Sequence, residues 1–407
     1  MRSSHHRFAA SLSLLAGLAS LVPGAVHAQL KPGFAPNETL AAPRKDLLDS
    51  EFSQSRNLFT WCDKDGRLWV GTVDPATGNI LKPTYKMLDA DAITPQDMKI
   101  TTNGPEWVST ATGDQVIYTK FVGDPKASTA RLALVEGSAD GSTWGAPTLL
   151  GPDAGRNAPY GSDDADDPNP RISYVDAKNN HYWRYLHDAA SEVKVQGMKK
   201  TPKPISVRFS KGYNGLVYSQ AVDSVNQVFF LQLDTNKLVQ ITKDDGAKDA
   251  RTVPWMWRAP EFNDKLTVLT TVNENELRFY RKQDGGDGSS AWTQINSIKL
   301  AEGDTVASPE PFTYNGKSYV VLAVKRSGYD YPTAVYIAAV APDAPTPLWK
   351  VSDDADNHER IDPEVYITTA NGPVVFYNKF DPSLDTTGEH PNCAACSEGL
   401  YRASTGL

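Results

Sequence analysis

Residues 361–378, IDPEVYITTANGPVVFYN, contain two short runs rich in β-branched and aromatic residues. The Ala-Asn-Gly between the runs is a turn sequence, so the stretch predicts two antiparallel strands joined by a tight turn. The first run opens with Pro363 and Glu364. Proline is tolerated at the first position of a strand, because that position need not donate a hydrogen bond to its neighbour. The stretch therefore predicts a hairpin that begins at a Pro-Glu pair.

Pro-Glu pairs recur before similar runs, and their glutamates are Glu106, Glu261, Glu310 and Glu364. The last three recur at intervals of about 50 residues, which is the length of one β-propeller blade. The gap between the first two is about three times as long, so it has room for three units. The pattern therefore indicates a repeat with two weaker copies inside the gap.

The weaker copies complete the repeat. Residues 169–186 resemble the first two strands of a unit, residues 205–242 read as four strands, and Glu51 precedes Glu106 by the length of one unit. We predict an all-β fold, a single β-propeller of seven four-stranded antiparallel blades, with six blades as the alternative. The propeller is expected to span residues 29–407, with blades starting near residues 50, 105, 169, 205, 260, 309 and 363.

Residues 1–28 have the features of a secretory signal peptide. Arg2 and Arg7 precede an apolar run, and the segment ends in the small-residue pattern Val26-His27-Ala28. No later stretch approaches the roughly 18 to 20 apolar residues that a membrane helix needs. We therefore expect an exported protein, secreted or periplasmic, without a membrane span.

The charge of the expected mature chain limits its partners. Two of the 41 Lys and Arg residues lie in the signal segment, which leaves a formal net charge of −10 against 49 acidic residues. An acidic surface disfavours nucleic acid and anionic membranes. Cations and neutral or basic ligands remain, and we expect a monomer.

The order of strand, glycine turn, strand and proline-led segment resembles the TolB-type, WD-like propeller repeat P-x-W-S-P-D-G-x-x-I-x-F. The best match, residues 105–120, keeps Pro105, Trp107, Ser109, Gly113 and Ile117 but not the Ser-Pro-Asp-Gly core. The resemblance covers nearly all of the expected mature chain. It implies a propeller that binds a protein or a cell-envelope component without catalysis, as TolB-type propellers do.

Two shorter stretches resemble glycosidase propellers. SADGSTW, residues 138–144, is similar to the Asp-box of sialidases but is one residue shorter, and RIDPEVY, residues 360–366, is similar to a strand opening of furanosidase and fructosidase propellers. These likenesses imply a glycan ligand. They are specific for no reaction, because such motifs support the fold more than the chemistry.

A residue repeated at the start of each innermost strand forms a ring around the mouth of a propeller channel. Paired carboxylates there can act as acid and base in glycoside cleavage. The candidate catalytic residues are Glu261, Glu310, Asp362, Glu364 and His358. The histidine is the candidate for proton transfer, and with Tyr329 it would suit a lyase. The alternative is structural, because an acid present in four blades can simply accept hydrogen bonds where blades meet.

Long loops between blades and between second and third strands are predicted to share one face and to carry the site. An arginine beside an acid keeps it ionised, and aromatic rings stack on sugars. The candidate substrate-binding residues are Arg171, Arg258, Arg360, Trp255, Trp257 and Tyr329. Structural ion pairing and blade packing are the alternatives.

Two acidic segments have the same sequence, Ser-Asp-Asp-Ala-Asp, at residues 162–166 and 352–356. Such oxygen ligands suit Ca²⁺. The alternative is a solvated acidic loop with Asx-turns.

Three cysteines, an odd number, remain in an exported chain: Cys62, Cys393 and Cys396. A disulfide from Cys62 to either of the other two would latch the first blade to the last. A local bridge between Cys393 and Cys396 is the alternative. With His390 the three match a structural Zn²⁺ set, although an oxidising compartment favours the disulfide.

Two functions remain. In the first, the protein binds or cleaves a carbohydrate at the channel mouth with acids of the innermost strands. In the second, it is a non-catalytic propeller that binds a protein or cell-envelope partner through the same loops.

Overall fold

The computed structural model describes residues 31, 33–92, 104–151, 154–164, 167–195, 197–198, 207–243, 249–286, 288–344, 347–385 and 395–407. The expected signal peptide lies outside these residues and stays a prediction. The described residues form seven four-stranded sheets. They confirm the all-β propeller of seven blades.

The N-terminal strand is β1 (Glu38–Ala42). Blade 1 contains β2 (Leu48–Ser53), β3 (Leu58–Cys62), β4 (Leu68–Val73) and β5 (Ile80–Asp89). Blade 2 contains β6 (Glu106–Val108), β7 (Gln115–Phe121), β8 (Ala130–Glu136) and β9 (Thr148–Leu149). Blade 3 contains β10 (Arg156–Gly161), β11 (Arg171–Asp176), β12 (His181–Tyr185) and β13 (Val193–Lys194). Blade 4 contains β14 (Arg208–Ser210), β15 (Tyr213–Val222), β16 (Val225–Gln232) and β17 (Lys237–Gln240).

Blade 5 contains β18 (Arg251–Ala259), β19 (Lys265–Val272), β20 (Glu276–Lys282) and β21 (Trp292–Lys299). Blade 6 contains β22 (Thr305–Tyr314), β23 (Lys317–Lys325), β24 (Ala334–Ala339) and β25 (Leu348–Lys350). Blade 7 contains β26 (Glu359–Thr368), β27 (Gly372–Phe380), β28 (Ser397–Ser404) and, as its outermost strand, β1. Short 3₁₀ turns span Ala189–Ser191, Pro260–Phe262, Gly288–Ala291 and Pro382–Leu384.

The first strands of the blades form a closed circle. Contacts run from β2 to β6, β10, β14, β18, β22 and β26, and from β26 back to β2. The circle encloses a central channel. It is closed by β1, which pairs antiparallel with β28 so that the two ends of the chain share one blade.

Neighbouring blades pack face to face through large apolar side chains. Between blades 7 and 1, Phe52 stacks on Phe376 with ring centroids 4.6 Å apart, and Phe59 stacks on the fully buried Trp61 at 4.8 Å. Burying aromatic surface of this size is a main source of stability in a propeller, because each sheet needs a partner on both faces.

The predicted cysteine latch is not formed. Cys62 packs with Val116 and Tyr118 of blade 2, whereas Cys396 packs against Phe380 of blade 7. Successive side chains of a strand point to opposite faces, so Cys62 points away from blade 7 while Trp61 points towards it. Cys393 and His390 lie outside the described residues, so the local disulfide and the zinc set stay predictions.

Two of the predicted blade starts differ from the structure. Blade 3 begins at Arg156, well before the predicted residue 169, and blade 5 begins at Arg251. The acidic segment after Ser162 is therefore the turn between β10 and β11, not a connection between blades. The similar segment after Ser352 does connect blades 6 and 7, so the two copies lie on opposite faces of the propeller.

Within the described part of the chain, no helix has the length and apolar character needed to cross a membrane.

Candidate functional site in the central channel

The innermost strands β2, β10, β18, β22 and β26 each carry a β-bulge near their start. The bulged residues all have a positive φ, between 43° and 55°: Asp49, Ala158, Val253, Ser308 and Asp362. Positive φ is strained for residues other than glycine, above all for a β-branched valine. A bulge bends the strand and turns the side chains that follow it. The same device in five blades therefore aims one position of each strand at the channel.

In the five bulged strands, that position lies two residues after the bulge. In all seven blades, the equivalent residue pairs with the second strand of its blade. We call its seven occupants the channel ring: Glu51, Glu106, Tyr160, Arg208, Trp255, Glu310 and Glu364. The four glutamates belong to blades 6, 7, 1 and 2, which are consecutive around the circle. The channel therefore has an acidic half and, in blades 3 to 5, an aromatic and basic half.

The glutamates of the acidic half interact across blades. Burial in the channel raises the pKa of Glu51 well above its usual value, and repulsion from Glu364, Glu106 and Glu310 raises it further. Burial, followed by repulsion from Glu310 and Asp362, has the same effect on the pKa of Glu364. Neighbouring carboxylates therefore disfavour the ionised forms of Glu51 and Glu364.

Two bulge residues add a pair of neighbouring acids to this half. Burial raises the pKa of both Asp49 and Asp362, and repulsion from Asp49 raises that of Asp362 further. Oδ2 of each side chain is buried and has no hydrogen-bond partner among the described residues. A Cβ at Gly104 would lie 1.8 Å from Asp49 Oδ2, so glycine permits this close approach. The pair lies nearer to the start of the innermost strands than the ring does.

Three carboxylates of the ring have no donor. Among the described residues, no hydrogen bond reaches the side-chain oxygens of Glu51, Glu310 or Glu364, and Glu364 is only 9% exposed. A buried carboxylate without a donor is costly, since the lost hydration is not replaced. The structure therefore contains unused acceptors that face the channel.

The other half of the channel holds two cations against aromatic rings. The Arg208 guanidinium lies 4.4 Å from the centre of the Trp255 ring and 5.5 Å from that of Tyr160. Lys211 Nζ lies 5.1 Å from the Trp255 ring. Cations over aromatic faces are attracted by the ring quadrupole. Trp255 is 9% exposed and its indole N–H has no acceptor among the described groups.

Lys211 connects the two halves. Burial lowers the pKa of Lys211 and is the largest single cause, but attraction by Glu310, Asp163, Glu364 and Glu51 outweighs it, so the pKa is raised. These acids belong to blades 6, 3, 7 and 1, so the ammonium is attracted by acids on several sides of the channel. Lys211 lies in the turn after β14, on the face of the tight first turns, which we call the turn face. The opposite face, where the innermost strands begin, is the loop face.

Glu261 lies outside the ring. It belongs to the 3₁₀ turn after β18, where it accepts hydrogen bonds from the Ser318 backbone N–H at 3.0 Å and from Ser318 Oγ at 2.9 Å. Trp255 occupies the ring position of blade 5. The Ala-Pro-Glu at residues 259–261 resembles the other blade starts, but the true equivalent is Val-Pro-Trp at residues 253–255.

The other predicted binding residues of β18 are dispersed. Trp257 is buried between blades 5 and 6, and its indole N–H donates to Ser318 Oγ at 3.0 Å. Arg258 is exposed and donates to the Asp264 carbonyl. Arg171 is buried on β11 and pairs with Asp167 at 3.1 Å. These residues stabilise turns and blade contacts, and the structure does not bring them to the channel ring.

Arg360 belongs to a paired charge cluster at the loop face of blade 7, which we call the closure cluster. Glu38 of β1 accepts from Arg360 Nε at 2.7 Å, from Tyr377 at 2.7 Å and from Lys379 at 2.6 Å. Asp356 also pairs with Arg360 and with Lys379. Arg360 is fully buried, and the attraction of Glu38 and Asp356 outweighs its burial and raises its pKa. The cluster ties the N-terminal strand to blade 7.

His358 lies beside this cluster. Its Nδ1 is 2.9 Å from Glu398 Oε2 and 3.7 Å from Asp356 Oδ2. These three offer one ligand atom each within 4.8 Å of one another, which is metal-like spacing. Lys379 occupies one oxygen of Asp356 and lies 3.8 Å from Glu398. The Lys379 ammonium therefore neutralises part of the charge that a metal ion would need.

Tyr329 lies in the loop between β23 and β24. Its ring is 6.0 Å from that of Tyr331, and the Arg326 guanidinium lies 5.4 Å from its centre. The aromatic pair is half-buried on the loop face of blade 6. It is available at the surface but belongs to no cluster of acids.

Sequence reasoning did not predict Arg208 or Lys211 as site residues. No shared residue type marks them, since blade 4 has valine where five other blades have proline before the ring position. The spacing of the prolines does indicate part of the channel ring. Pro105 and Pro159 are separated by one blade length, and Pro254, Pro309 and Pro363 recur at the same interval.

No family model and no curated relative matches this chain. The β-propeller domain of Myceliophteria thermophila Cps50 (Swd1) is 8% identical with a TM-score of 0.55, over 91% of this chain and 99% of that chain. YCF48 bound to a D1 peptide is 9% identical with a TM-score of 0.51, over 93% and 99%. TolB from Acinetobacter baumannii is 13% identical with a TM-score of 0.39, over 84% and 78%, which is too low to carry an argument.

At these identities the likeness shows the fold alone. It supports the β-propeller fold and gives no support to the likeness with glycosidases. The chemistry of the site therefore depends on the channel residues themselves.

Proposed function

We propose that this protein is a non-catalytic binding propeller, whose channel receives a segment of a protein or peptide partner from the loop face. The supporting observation is Glu364, a buried ring carboxylate without a donor among the described residues. Binding sites are commonly concave, largely pre-formed and equipped with a few unused polar groups. YCF48, which has the same fold, was solved bound to a D1 peptide. The expected export of the chain adds a secreted or periplasmic setting to the proposal.

The test is selection from a displayed library of random peptides, followed by measurement of Kd by fluorescence polarisation. We expect peptides that bind the wild type and bind Trp255→Ala at least tenfold more weakly, because the Trp255 ring lines the channel. Arg258→Ala, an exposed change outside the ring, is the matched control and should leave Kd unchanged. Failure to recover any peptide that depends on Trp255 would contradict the proposal.

Glycan binding or cleavage is the second candidate. The observation in its favour is Glu364, whose raised pKa beside Glu310 suits a general acid next to a second carboxyl group. An aromatic ring at Trp255 suits a sugar face. A glycan array and an assay of reducing-end release, on the wild type and on Glu364→Gln, test this candidate. Cleavage that Glu364→Gln abolishes would replace the peptide proposal.

A further inference from the structure

We infer that the channel ligand presents a lysine or arginine side chain, whose cationic head lies in the acidic half between the carboxylates of Glu51, Glu310 and Glu364. The inference rests on the proposed function and specifies the chemistry of its ligand.

Charge balance favours a cationic ligand. Among the described residues, the channel contains five acidic side chains from blades 1, 6 and 7, namely Glu51, Glu310, Glu364, Asp49 and Asp362. Lys211 and Arg208 face them, together with the further acid Asp163 on the turn face. Acid is therefore in excess among the described channel residues. A further positive charge would be attracted into the acidic half.

The ring carboxylates lack hydrogen-bond donors. Glu364 is nine-tenths buried, and no described group donates to its carboxylate or to those of Glu51 and Glu310. Its Coulombic partners place its carboxylate in the channel, since they are Glu310, Asp362 and Lys211. A ligand that brings N–H donors would supply what the protein lacks. Charge-assisted bonds of this kind are the strong ones.

Spacing also favours a cationic side chain. Among the described residues, only Asp356, His358 and Glu398 offer three ligand atoms within 4.8 Å, and none of these lies in the channel ring. No three described ring carboxylates therefore offer oxygens close enough to coordinate one metal ion together. A guanidinium has five donors spread over a plane and can bridge acceptors that are more widely separated, whereas an ammonium can bind two of them.

Access from the loop face agrees with this assignment. Asp49 and Asp362 lie towards the loop face and the ring lies below them, whereas Lys211 and Asp163 belong to turns of the opposite face. A side chain that enters from the loop face meets acids first and meets Lys211 last. The Tyr160 and Trp255 rings of the other half already hold the Arg208 guanidinium and the Lys211 ammonium, so a further cation is directed to the acids.

The experiment uses hexalysine, hexaarginine and hexaglutamine as probes, together with the peptides selected above, and measures Kd by isothermal titration calorimetry. Glu51→Gln and Glu364→Gln keep the shape of the side chains and remove charge. Each should weaken the basic probes about tenfold, the scale of one charge-assisted hydrogen bond. Glu136→Gln removes an acid that is 58% exposed on β8, and Kd should not change.

Lys211→Met provides an effect of the opposite sign. Removing the internal ammonium eliminates the competing cation, so the basic probes should bind several-fold more tightly. If the acids only stabilise the fold, Lys211→Met should instead bind the basic probes more weakly. The substitution would then remove the positive charge that holds the acidic half in place. Circular dichroism and the midpoint of thermal unfolding verify that each variant is folded.

The outcomes separate the two proposals. If selected peptides bind but hexalysine and hexaarginine bind no better than hexaglutamine, or if both Gln variants bind as the wild type does, the inference is wrong and the proposed function stands. If no peptide binds at all, the proposed function fails. Weaker binding to Glu51→Gln and Glu364→Gln with tighter binding to Lys211→Met supports the inference.

Discussion

The closure cluster and the acidic half of the channel are both buried groups of charge, but they differ in pairing. Glu38 is met by Arg360, Lys379 and Tyr377, so both of its carboxylate oxygens have donors. Glu364 is met chiefly by other acids. Burying a charge is costly in both places, and only the first arrangement offsets the cost inside the protein. Paired charge therefore indicates structure here, and unpaired charge indicates a site.

Removing Glu38 should have the largest effect on stability. Glu38→Ala leaves Arg360 and Lys379 without their main partner, and loss of one partner of a buried ion pair costs about 3–5 kcal/mol. The free energy of unfolding from urea titration measures this loss, and amide hydrogens of β1 should exchange faster. Asp65→Asn, an exposed acid paired with Arg67, is the control and should cost less than about 0.5 kcal/mol. If Glu38→Ala and Asp65→Asn lowered the free energy of unfolding equally, the buried pair would be no more important for stability than the exposed one.

Removing a ring carboxylate should have the opposite sign. Glu364→Gln at pH 8 should stabilise the protein by about 1 kcal/mol, or a few degrees of Tm, because it relieves a buried, repelled charge. Scanning calorimetry measures the change. A loss of stability at pH 8 would show that Glu364 has a stabilising partner, and the two clusters would then be alike.

The pH dependence follows from the raised pKa values of Glu51, Glu364 and Asp362. The folded state holds protons that the unfolded state has already lost, so stability falls as the pH rises from about 4, the unfolded value, through the folded pKa values. The difference in Tm between Glu364→Gln and the wild type should therefore be largest at pH 8 and shrink towards pH 4. A constant difference across this range would contradict a raised pKa for Glu364.

The smallest expected effect is a difference in stability between two tryptophan substitutions in β18. The indole N–H of Trp255 has no described acceptor, whereas that of Trp257 donates to Ser318 Oγ. Trp255→Phe should change the free energy of unfolding less than Trp257→Phe does, by about 1 kcal/mol, because only the second change breaks a hydrogen bond. Urea titration of both variants makes the measurement. A larger loss for Trp255→Phe would mean that the channel side of β18 is structural.

The recurrence of proline before Glu310 and Glu364 predicted the propeller and the acids around its channel. The same reasoning selected Glu261 in place of Trp255, because residues 259–261 copy the local pattern at the far end of the strand. A sequence motif records residue types in order. It does not record the register between strands, and one slip in register moves a side chain to another environment.

The cysteines show the same limit. Cys62 lies early in the chain and was expected to meet Cys393 or Cys396, late in the chain, when the circle closes. The ring of blades does close, but side chains alternate along a strand, so Cys62 lies on the face of its sheet that packs against blade 2. The ion pair between Glu38 and Arg360 connects the N-terminal strand to blade 7 instead. No pattern in the sequence around Glu38 indicates this partnership.

By itself, the sequence determined the repeat, the strand class, the acidic balance and the recurring prolines, because these depend on local spacing and composition. Only the tertiary structure decided that most of these prolines lie inside the innermost strands after a bulge, that seven equivalent positions converge with four acids on adjacent blades, and that Lys211 lies on the opposite face. The reason is physical: the energy of a buried charge depends on its neighbours in space, and in a ring of blades those neighbours come from opposite ends of the chain, as Glu51 and Glu364 do.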